Sequence, residues 1–236
     1  MNETAQLGLP LLLPAQAQKH VTVNEALSRL DGLVQLVLGS VTLATPPLGA
    51  SEGQAWGVPV GAVNEWAGQS GRIAIATNGG WDFVQPRAGW RAQVIDRGVS
   101  ALHDGAGWRV GHLSLSPFGA GVRIGVVEAD HLLAPGAASV TADLIPSHVM
   151  ILGVTARVIQ TLTGTLTDWA LGNPGAVGRF GSGLGLAPGS HARGILASPM
   201  TFYAPTQLEL VANGGAFATG TVRLSVHYLD LTLPSA

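Results

Sequence analysis

Cysteine is absent from this chain of 236 residues, which excludes disulfides and thiolate metal sites. Charge is scarce as well: charged residues make up 11% of the chain, where about 25% is typical, and Lys19 is the single lysine. The net charge is −2 and no run of basic residues occurs, so we expect no nucleic-acid binding. A surface with so little charge predicts that much of it is buried against other subunits.

The chain also lacks a long hydrophobic run. No segment approaches the roughly 18 uninterrupted apolar residues of a membrane span, so we expect no membrane insertion. The stretch from Leu9 to Ala17 does resemble a signal peptide, because an apolar run precedes a small-x-small pattern. However, Glu3 stands where a signal peptide is positively charged, and Pro10 and Pro14 interrupt the run. We therefore predict an arm that leads into a helix, and no signal peptide.

Glycine and proline, in contrast, are abundant, with 33 and 14 residues. Together with many valines and threonines, they indicate short strands joined by tight turns. We therefore predict a mainly β protein in three parts. The parts are an N-terminal arm and single amphipathic helix over 1–40, a small Trp-rich antiparallel β module over 41–112, and a C-terminal β-sandwich or jelly roll over 113–236.

One amphipathic helix is predicted after the arm. Pro10 and Pro14 keep the arm extended, and Thr22 with Glu25 has the spacing of a capping box. Apolar residues then recur at 3.6-residue spacing until Gly39, which we place just after the helix. A lone amphipathic helix packs on a sheet or on its copies, and we assign it the second role. The predicted oligomerisation seam consists of Leu27, Leu30, Val34 and Leu38.

The middle block contains two similar hairpin patterns and five of the six tryptophans. Each pattern is a β-run, a turn pair (Asn78-Gly79 or Asp104-Gly105) and a Trp on the return strand. A small sheet domain has little core volume per residue, and large rings can supply it. We therefore favour a core role for these tryptophans over a tryptophan-lined binding face.

The second half alternates between strand-like and turn-like segments. Its glycine-rich stretch, Gly172 to Gly194, is predicted to be loops that flank a short strand around Phe180–Leu186. The clearest strands are predicted at Val122–Val127, Ser139–Leu144, Val149–Leu162, Gln207–Ala212 and Thr221–Leu229.

Patterns that carry catalysis or bind metals are lacking. No two of the seven histidines have the i, i+2 or i, i+4 spacing of a metal site. Ser182 has glycines directly beside it, whereas a nucleophile elbow, Gly-x-Ser-x-Gly, needs them two positions away. A glycosidase needs two facing carboxylates, for which Glu128 or Asp168 with Glu209 would be the candidates. We expect no enzyme activity, no cofactor and no metal, and keep a polysaccharide hydrolase or lyase as an alternative.

Carbohydrate binding fits the polar and planar side chains around the glycine-rich stretch better. A sugar is bound by an aromatic ring against its apolar face and by planar hydrogen-bonding groups. The alternative is that the rings are core residues and the arginines bind backbone carbonyls or a neighbouring subunit. The candidate ligand-binding residues are Asp168, Trp169, Asn173, Arg179, Phe180, His191 and Arg193.

The run PAQAQKHVTVNEAL from Pro14, followed by Trp66-Ala-Gly and by Trp81-Asp-Phe with Trp90, is distinctive. Over roughly residues 7–112 the chain resembles an uncharacterised family of proteins encoded in prophages and gene transfer agents of alphaproteobacteria. The second half resembles a β-domain that is often appended to such proteins. The resemblance implies a structural part of a tailed particle, namely a tail fibre or a head spike that touches the host surface.

These observations together predict a homo-oligomeric particle appendage, assembled in the bacterial cytoplasm. A trimer is favoured and a pentamer remains open. Its expected partners are other particle proteins and host surface polysaccharide. The main alternative is a purely structural particle protein without a ligand, in which Trp169 and Arg179 would lie in subunit contacts.

Overall fold

The computed structural model describes residues 2–13 and 19–234, and its fold is mainly β, as predicted. The chain divides into two compact units, residues 1–115 and 116–236, so the arm, the helix and the Trp-rich module belong to one unit. In the described residues there is one α-helix, α1 (Lys19–Leu33). Two single-turn 3-10 helices occur at Asn64–Trp66 and Ile95–Arg97.

The first unit is built on a mixed β-sheet of seven strands. Its strands are β1 (Val37–Leu38), β2 (Ala55–Gly57), β3 (Ile73–Thr77), β4 (Gly80–Val84), β5 (Arg91–Val94), β6 (Val99–His103) and β7 (Trp108–Val110), and β8 (His112–Leu115) follows them in the chain. The sheet order is β4-β3-β2-β1-β5-β6-β7. The two outer wings are antiparallel, as predicted for the module, whereas β1 between them runs parallel to both β2 and β5.

Both predicted hairpins are present in this sheet. Asn78 and Gly79, with φ of 50° and 73°, connect β3 to β4 in the two-residue turn that needs two positive φ angles. The second hairpin has a longer loop over 104–107, because the Asp104 carboxylate accepts hydrogen bonds from the backbone N–H groups of Ala106 and Gly107. Its turn therefore differs from the predicted two-residue turn.

The tryptophans of the first unit fill its core, as favoured from the sequence. Trp56, Trp66 and Trp81 pack together on one face of the sheet, with ring centroids 5.1 to 6.2 Å apart. Trp90 and Trp108 pack on a second cluster that contains Leu38 and the isoleucines of β3. Aromatic rings thus supply the core volume that short strands alone would not.

The helix begins and ends earlier than predicted. It starts at Lys19, so Thr22 and Glu25 lie inside it rather than forming a capping box at its start. It ends at Leu33, and Gln35, with a left-handed φ of 53°, redirects the chain. The helix packs on its own sheet at its C-terminal end, where Gly32 lies against Ile75 of β3.

The described part of the arm is folded back rather than extended. Thr4 N–H donates to the Leu9 carbonyl at 2.9 Å, and Glu3 and Pro10 form a β-bridge. The small-x-small pattern at 15–17 lies outside the described residues.

Over residues 116–234 the second unit has eight strands, β9 to β16. They are β9 (Gly121–Leu132), β10 (Ala138–Ile145), β11 (Met150–Gly164), β12 (Asp168–Asn173), β13 (Ala176–Leu184), β14 (His191–Thr201), β15 (Thr206–Asn213) and β16 (Phe217–Thr232). All five strands predicted from the clearest patterns are present, and each is longer than predicted. Within this unit the strand orders are β10-β15-β12-β13 and β14-β11-β16-β9.

These two sheets form a jelly roll. The first strand pairs with the eighth (β9 with β16), the second with the seventh, the third with the sixth and the fourth with the fifth, all antiparallel. This is the pairing produced when one long hairpin folds over on itself. One buried cluster contains Leu208 and Leu210 of one sheet with Val222, Leu224 and Val226 of the other, so the sheets share a core.

The glycine-rich stretch is mostly strand, which corrects the predicted loops. β13 spans Ala176–Leu184, β14 begins at His191, and only 185–190 connect them. Its glycines allow close packing between strands: a Cβ on Gly194 would lie 2.5 Å from Phe180, and one on Gly172 would meet the Ala176 carbonyl. The register shifts between β12 and β13 show that the ladder is irregular at these glycines.

Candidate functional site

Two of the seven predicted ligand residues are core residues. Trp169 and Phe180 are 0% and 2% exposed, and Trp169 Nε1 donates a hydrogen bond to the Gly185 carbonyl at 3.0 Å. A ring enclosed by side chains cannot stack on a sugar. Their assignment as ligand contacts is therefore wrong, and the core alternative holds for both.

Asp168 and Asn173 lie at opposite ends of β12. Five residue steps along a strand correspond to about 17 Å, so one small ligand does not contact both side chains. Asp168 also accepts a hydrogen bond from the Asn213 amide at 2.6 Å, and Asn173 is buried and donates to the Pro174 carbonyl. These two polar residues therefore make hydrogen bonds at opposite ends of the sandwich and do not form a common site.

Arg179, His191 and Arg193 are the exposed members of the predicted set. Arg179 Nη1 lies 2.7 Å from Met200 Sδ. In the β11–β14 pairing, His191 lies opposite Arg157 and Arg193 lies opposite Thr155, on the outer face of the sheet. The structure thus brings His191 and Arg193 together and adds Arg157, which the sequence patterns did not single out.

The carboxylate pairs proposed for hydrolysis do not have the geometry of a glycosidase. Glu128 lies on the outer face of one sheet and Glu209 on the outer face of the other, with the core between them. Asp168 and Glu209 are on one face, but four residue steps, or about 13 Å, separate their positions along β12 and β15. Both arrangements differ from carboxyl groups roughly 5–9.5 Å apart across a cleft.

The outer face of the β14-β11-β16-β9 sheet carries a row of paired polar side chains. Arg223 donates from Nε and Nη2 to the two oxygens of Asp130 at 2.7 and 2.8 Å. This side-chain hydrogen bond lowers the pKa of Asp130 and raises the pKa of Arg223. In the next row, Ser225 donates to Glu128 at 2.8 Å. Cross-strand pairs of this kind fix the register of the long strands.

Next to these polar rows, the same face exposes apolar side chains. Ile195 of β14 is 80% exposed, and Val126, Ile124 and Leu152 are exposed as well. Exposed apolar side chains that group on one face of a sheet are typical of surfaces that bind a partner. The alternation of Val126 with inward-facing residues along β9 was visible in the sequence. However, a face exposed to solvent and a face covered by a partner give the same alternation, so the sequence did not identify this surface.

One end of the jelly roll carries an exposed aromatic pair. Tyr203, in the loop between β14 and β15, is 80% exposed and meets the His148 ring edge-on at 5.9 Å. His148 adopts a left-handed φ of 61°, and its N–H donates to the Phe202 carbonyl at 2.7 Å, which ties the two loops together. This exposed ring was not among the predicted ligand residues.

The structure does not place the four residues of the predicted oligomerisation seam on one surface. Leu30 and Val34 are 48% and 41% exposed on and just after α1, and Leu27 is half-buried. Leu38 is fully buried in β1 at the centre of the sheet. Its place on the helix was wrong, because Leu36 and Leu38 alternate with exposed Val37 and so follow a strand period.

A cleft of about 1260 Å³ lies in the first unit between the folded arm, α1 and the β3–β4 hairpin. Its polar lining is largely paired within the chain. Asp31 accepts hydrogen bonds from Thr4 Oγ1 and from the N–H groups of Gln6 and Leu7, and Arg29 makes a two-point contact with Asp82. These contacts hold the arm and the hairpin against the helix.

Within residues 2–13 and 19–234, no three His, Cys, Asp or Glu side chains are placed to hold a metal ion. Among the helices of this described part, none is long and apolar enough to cross a membrane.

Comparison with known proteins gives a partial family match. Residues 23–109 match the model of a family described as a protein of unknown function, DUF2793. No curated protein matches the chain. Among solved structures, a chain of the cyanophage Pam1 capsid asymmetric unit is similar to it, with 22% identity and a TM-score of 0.34. The likeness covers 52% of this chain and 93% of that chain.

Proposed function

We propose that this chain is a structural subunit of a phage or gene transfer agent particle, placed there as a tail fibre or head spike. The observation that carries the proposal is a jelly roll whose outer sheet face exposes Ile195, Val126 and Leu152. Jelly rolls recur in viral capsid and lectin domains. Support also comes from the low charge of the chain and from the sequence resemblance around PAQAQKHVTVNEAL.

The test is the presence of the chain in purified particles. We expect mass spectrometry of gradient-purified particles from the bacterium that encodes the chain to detect it, and gold-labelled antibodies to mark one position on each particle. A cytoplasmic host enzyme, followed through the same gradient, controls for contamination. Particles of normal appearance and composition that lack the chain would refute the proposal.

Within this function, we propose that the second unit contacts host surface carbohydrate through the tip that carries Tyr203 and His148. Tyr203 presents most of a ring to solvent, and an aromatic ring can cover the apolar face of a sugar. The two loops are joined by the His148–Phe202 hydrogen bond, so the ring is held by an ordered tip.

Binding of the full chain to encapsulated and capsule-free host cells tests the carbohydrate contact. Tyr203→Ala is expected to weaken binding to encapsulated cells about tenfold or more, since a central aromatic contact commonly contributes over 1 kcal/mol. Leu233→Ala removes an equally exposed apolar side chain of the same unit and serves as the matched control. Equal binding by wild type and Tyr203→Ala would favour a purely structural subunit.

A further inference from the structure

Four arginines lie on the strands of the β14-β11-β16-β9 sheet, and only two of them have an aspartate directly opposite on the neighbouring strand. The two cross-strand ion pairs, each at 2.7 Å, are Arg123 with Asp230 and Arg223 with Asp130. The other two arginines are Arg157 on β11 and Arg193 on β14, and no acidic residue lies opposite either of them. Opposite charges paired across strands stabilise a sheet, so these two arginines depart from the pattern of the rest.

The two arginines without an aspartate lie beside His191 on the outer face of the sheet. Arg157 is directly opposite His191, and Arg193 is two residues beyond His191 on the same face. The Cβ atoms of opposite residues are about 5 Å apart, and diagonal neighbours are roughly 7–8 Å apart. All three side chains are exposed, and within the described residues no hydrogen bond or ion pair involves them. We call these three residues the basic cluster.

The acidic residues around the basic cluster are engaged elsewhere. Asp130 accepts hydrogen bonds from Nε and Nη2 of Arg223 at 2.7 and 2.8 Å. Glu128 shares the outer face, but it accepts a hydrogen bond from Ser225 and lies on β9, three strand spacings or about 14 Å from β14. Asp168 lies on β12 of the other sheet and is hydrogen-bonded there as well. The basic cluster therefore has no acidic partner in the described part of the chain.

The arrangement of the basic cluster is unfavourable without an anion. Arg157 lies between Arg223 on β16 and His191 on β14, and like charges directly opposite each other destabilise a sheet. A planar guanidinium group binds a carboxylate through two parallel hydrogen bonds. We propose that the basic cluster binds the carboxylate groups of an acidic polysaccharide.

This inference rests on the proposed carbohydrate contact of the second unit and adds a second contact of defined chemistry. Ile195, two residues beyond Arg193 on the same face, is 80% exposed and can cover the apolar face of a sugar. Tyr203 lies beyond the other end of β14, ten residue steps or roughly 33 Å from His191 to the end of the strand. The cluster and the tip are therefore separate contacts.

A polysaccharide fits the basic cluster better than nucleic acid does. Proteins that bind nucleic acid neutralise on the order of 6–10 phosphates, whereas the cluster has two arginines and one histidine. The net charge of the whole chain is −2, which also opposes a dense polyanion.

Binding of the purified full chain to polygalacturonate, measured by surface plasmon resonance, tests the inference. Arg157→Gln with Arg193→Gln is expected to weaken binding about a hundredfold, because each charge-assisted contact contributes about tenfold. The matched control, Arg91→Gln with Arg97→Gln, removes the same charge from two exposed arginines of the first unit and is expected to leave binding unchanged. Raising the NaCl concentration from about 0.05 to about 0.5 M is expected to weaken wild-type binding, because exposed charges are screened.

A stability measurement separates a binding role of the arginine from a structural role. Arg157→Gln removes a like charge opposite Arg223, so its urea midpoint is expected to equal or exceed that of wild type. A clearly lower midpoint would show that the fold itself needs the arginine and would overturn the proposal. Circular dichroism checks the fold of each variant.

The remaining outcomes identify what the basic cluster binds. No binding of polygalacturonate by the wild type, or equal binding by wild type and the Arg157→Gln, Arg193→Gln variant, would overturn the inference. Equal affinity for polyglutamate or single-stranded DNA would assign the cluster to an acidic protein segment or to nucleic acid instead. Tyr203→Ala is expected to leave polygalacturonate binding unchanged, and a loss there alone would place the carbohydrate contact at the tip. None of these outcomes affects the proposed particle subunit, which the composition of purified particles tests.

Discussion

Asp31 is a buried carboxylate in α1 whose two oxygens accept three hydrogen bonds from the arm. Thr4 Oγ1 donates at 2.6 Å, and the N–H groups of Gln6 and Leu7 donate at 2.9 and 2.7 Å. Asn24, seven residues earlier, both donates to and accepts from the backbone of Leu12. Two polar residues of the helix therefore determine the path of the arm.

Replacing Asp31 by Ala is expected to release the arm. Hydrogen bonds to charged groups contribute roughly 1.5–3 kcal/mol, so we expect the free energy of unfolding of the first unit to fall by about 3 kcal/mol. Urea denaturation measures this loss, and hydrogen exchange at the Gln6 and Leu7 amides is expected to become fast. Asp96→Ala, at an exposed carboxylate, is the matched control and is expected to change stability by less than about 0.5 kcal/mol.

Asp104 makes the first unit sensitive to acid. Although burial raises its pKa, hydrogen bonds from the Gly107 and Ala106 N–H groups and from Arg109 lower the pKa of Asp104 to about 2. A depressed folded-state pKa gives stability above the unfolded value of about 3.9, and that stability is lost as pH falls toward 2. The contribution is about 2 kcal/mol.

Asp104→Asn is therefore expected to flatten the dependence of stability on pH between about pH 5 and pH 2. Urea midpoints measured across this range for wild type and variant give the difference directly. Asp96→Asn removes one exposed carboxylate and is the charge-matched control. If the urea midpoints of wild type and Asp104→Asn depend on pH in the same way, the carboxylate does not stabilise the loop as its hydrogen bonds indicate.

At the scale of elements, glycine marks close strand packing in the second unit rather than loops. Gly194 of β14 lies so near Phe180 of β13 that a Cβ would be 2.5 Å from the Phe180 Cβ and carbonyl oxygen. The two strands approach each other at the edge where β13 ends one sheet and β14 ends the other. Glycine composition alone predicted turns here, because a turn and a close approach both require the absence of a side chain.

Gly194→Ala is expected to destabilise the second unit by about 3 kcal/mol, since the new methyl group meets backbone atoms that cannot move away easily. Thermal unfolding followed by circular dichroism measures the change. Gly107→Ala is the matched control, because a Cβ at Gly107 has no neighbour within 4 Å and its φ is not positive. An equal melting temperature for both variants would mean that β13 and β14 are less closely packed.

At the scale of the whole molecule, the exposed helix residues predict a route by which copies of the chain associate. Leu30 lies on the exposed face of α1, and Val34 follows it just beyond the helix. If the helix seam joins copies, Leu30→Glu is expected to reduce the mass measured by light scattering to that of the monomer. Val60→Glu, at a side chain that is more exposed, is the control. An unchanged mass for Leu30→Glu would show that the helix seam does not join copies.

The two compact units also predict independent folding. The buried cluster of the sandwich lies wholly between Leu133 and Val226, within the second unit. A fragment of residues 116–236 is therefore expected to unfold in one cooperative transition in urea. A fragment without a cooperative transition would show that the first unit is needed for its stability.

The amino-acid sequence by itself determined the mainly β class, the five strands of clearest alternation, the Asn78-Gly79 hairpin and the core role of the tryptophans. These features depend on local chemistry: side-chain period, positive φ at a turn, and ring volume. The end of α1 was not determined locally, because the run from Leu33 to Leu38 fits both a helix and a strand period until the sheet buries Leu36 and Leu38.

Only the tertiary structure decided which residues share a surface. Trp169 and Phe180 are buried because strands distant in sequence pack around them. Arg193 lies on the outer face of its sheet, where no strand covers it. The same pairing placed Arg157 beside His191 and set Glu128 and Glu209 on opposite outer faces. Alternation along one strand tells which side chains share a face, but the partner strands determine whether that face meets the core, solvent or another copy.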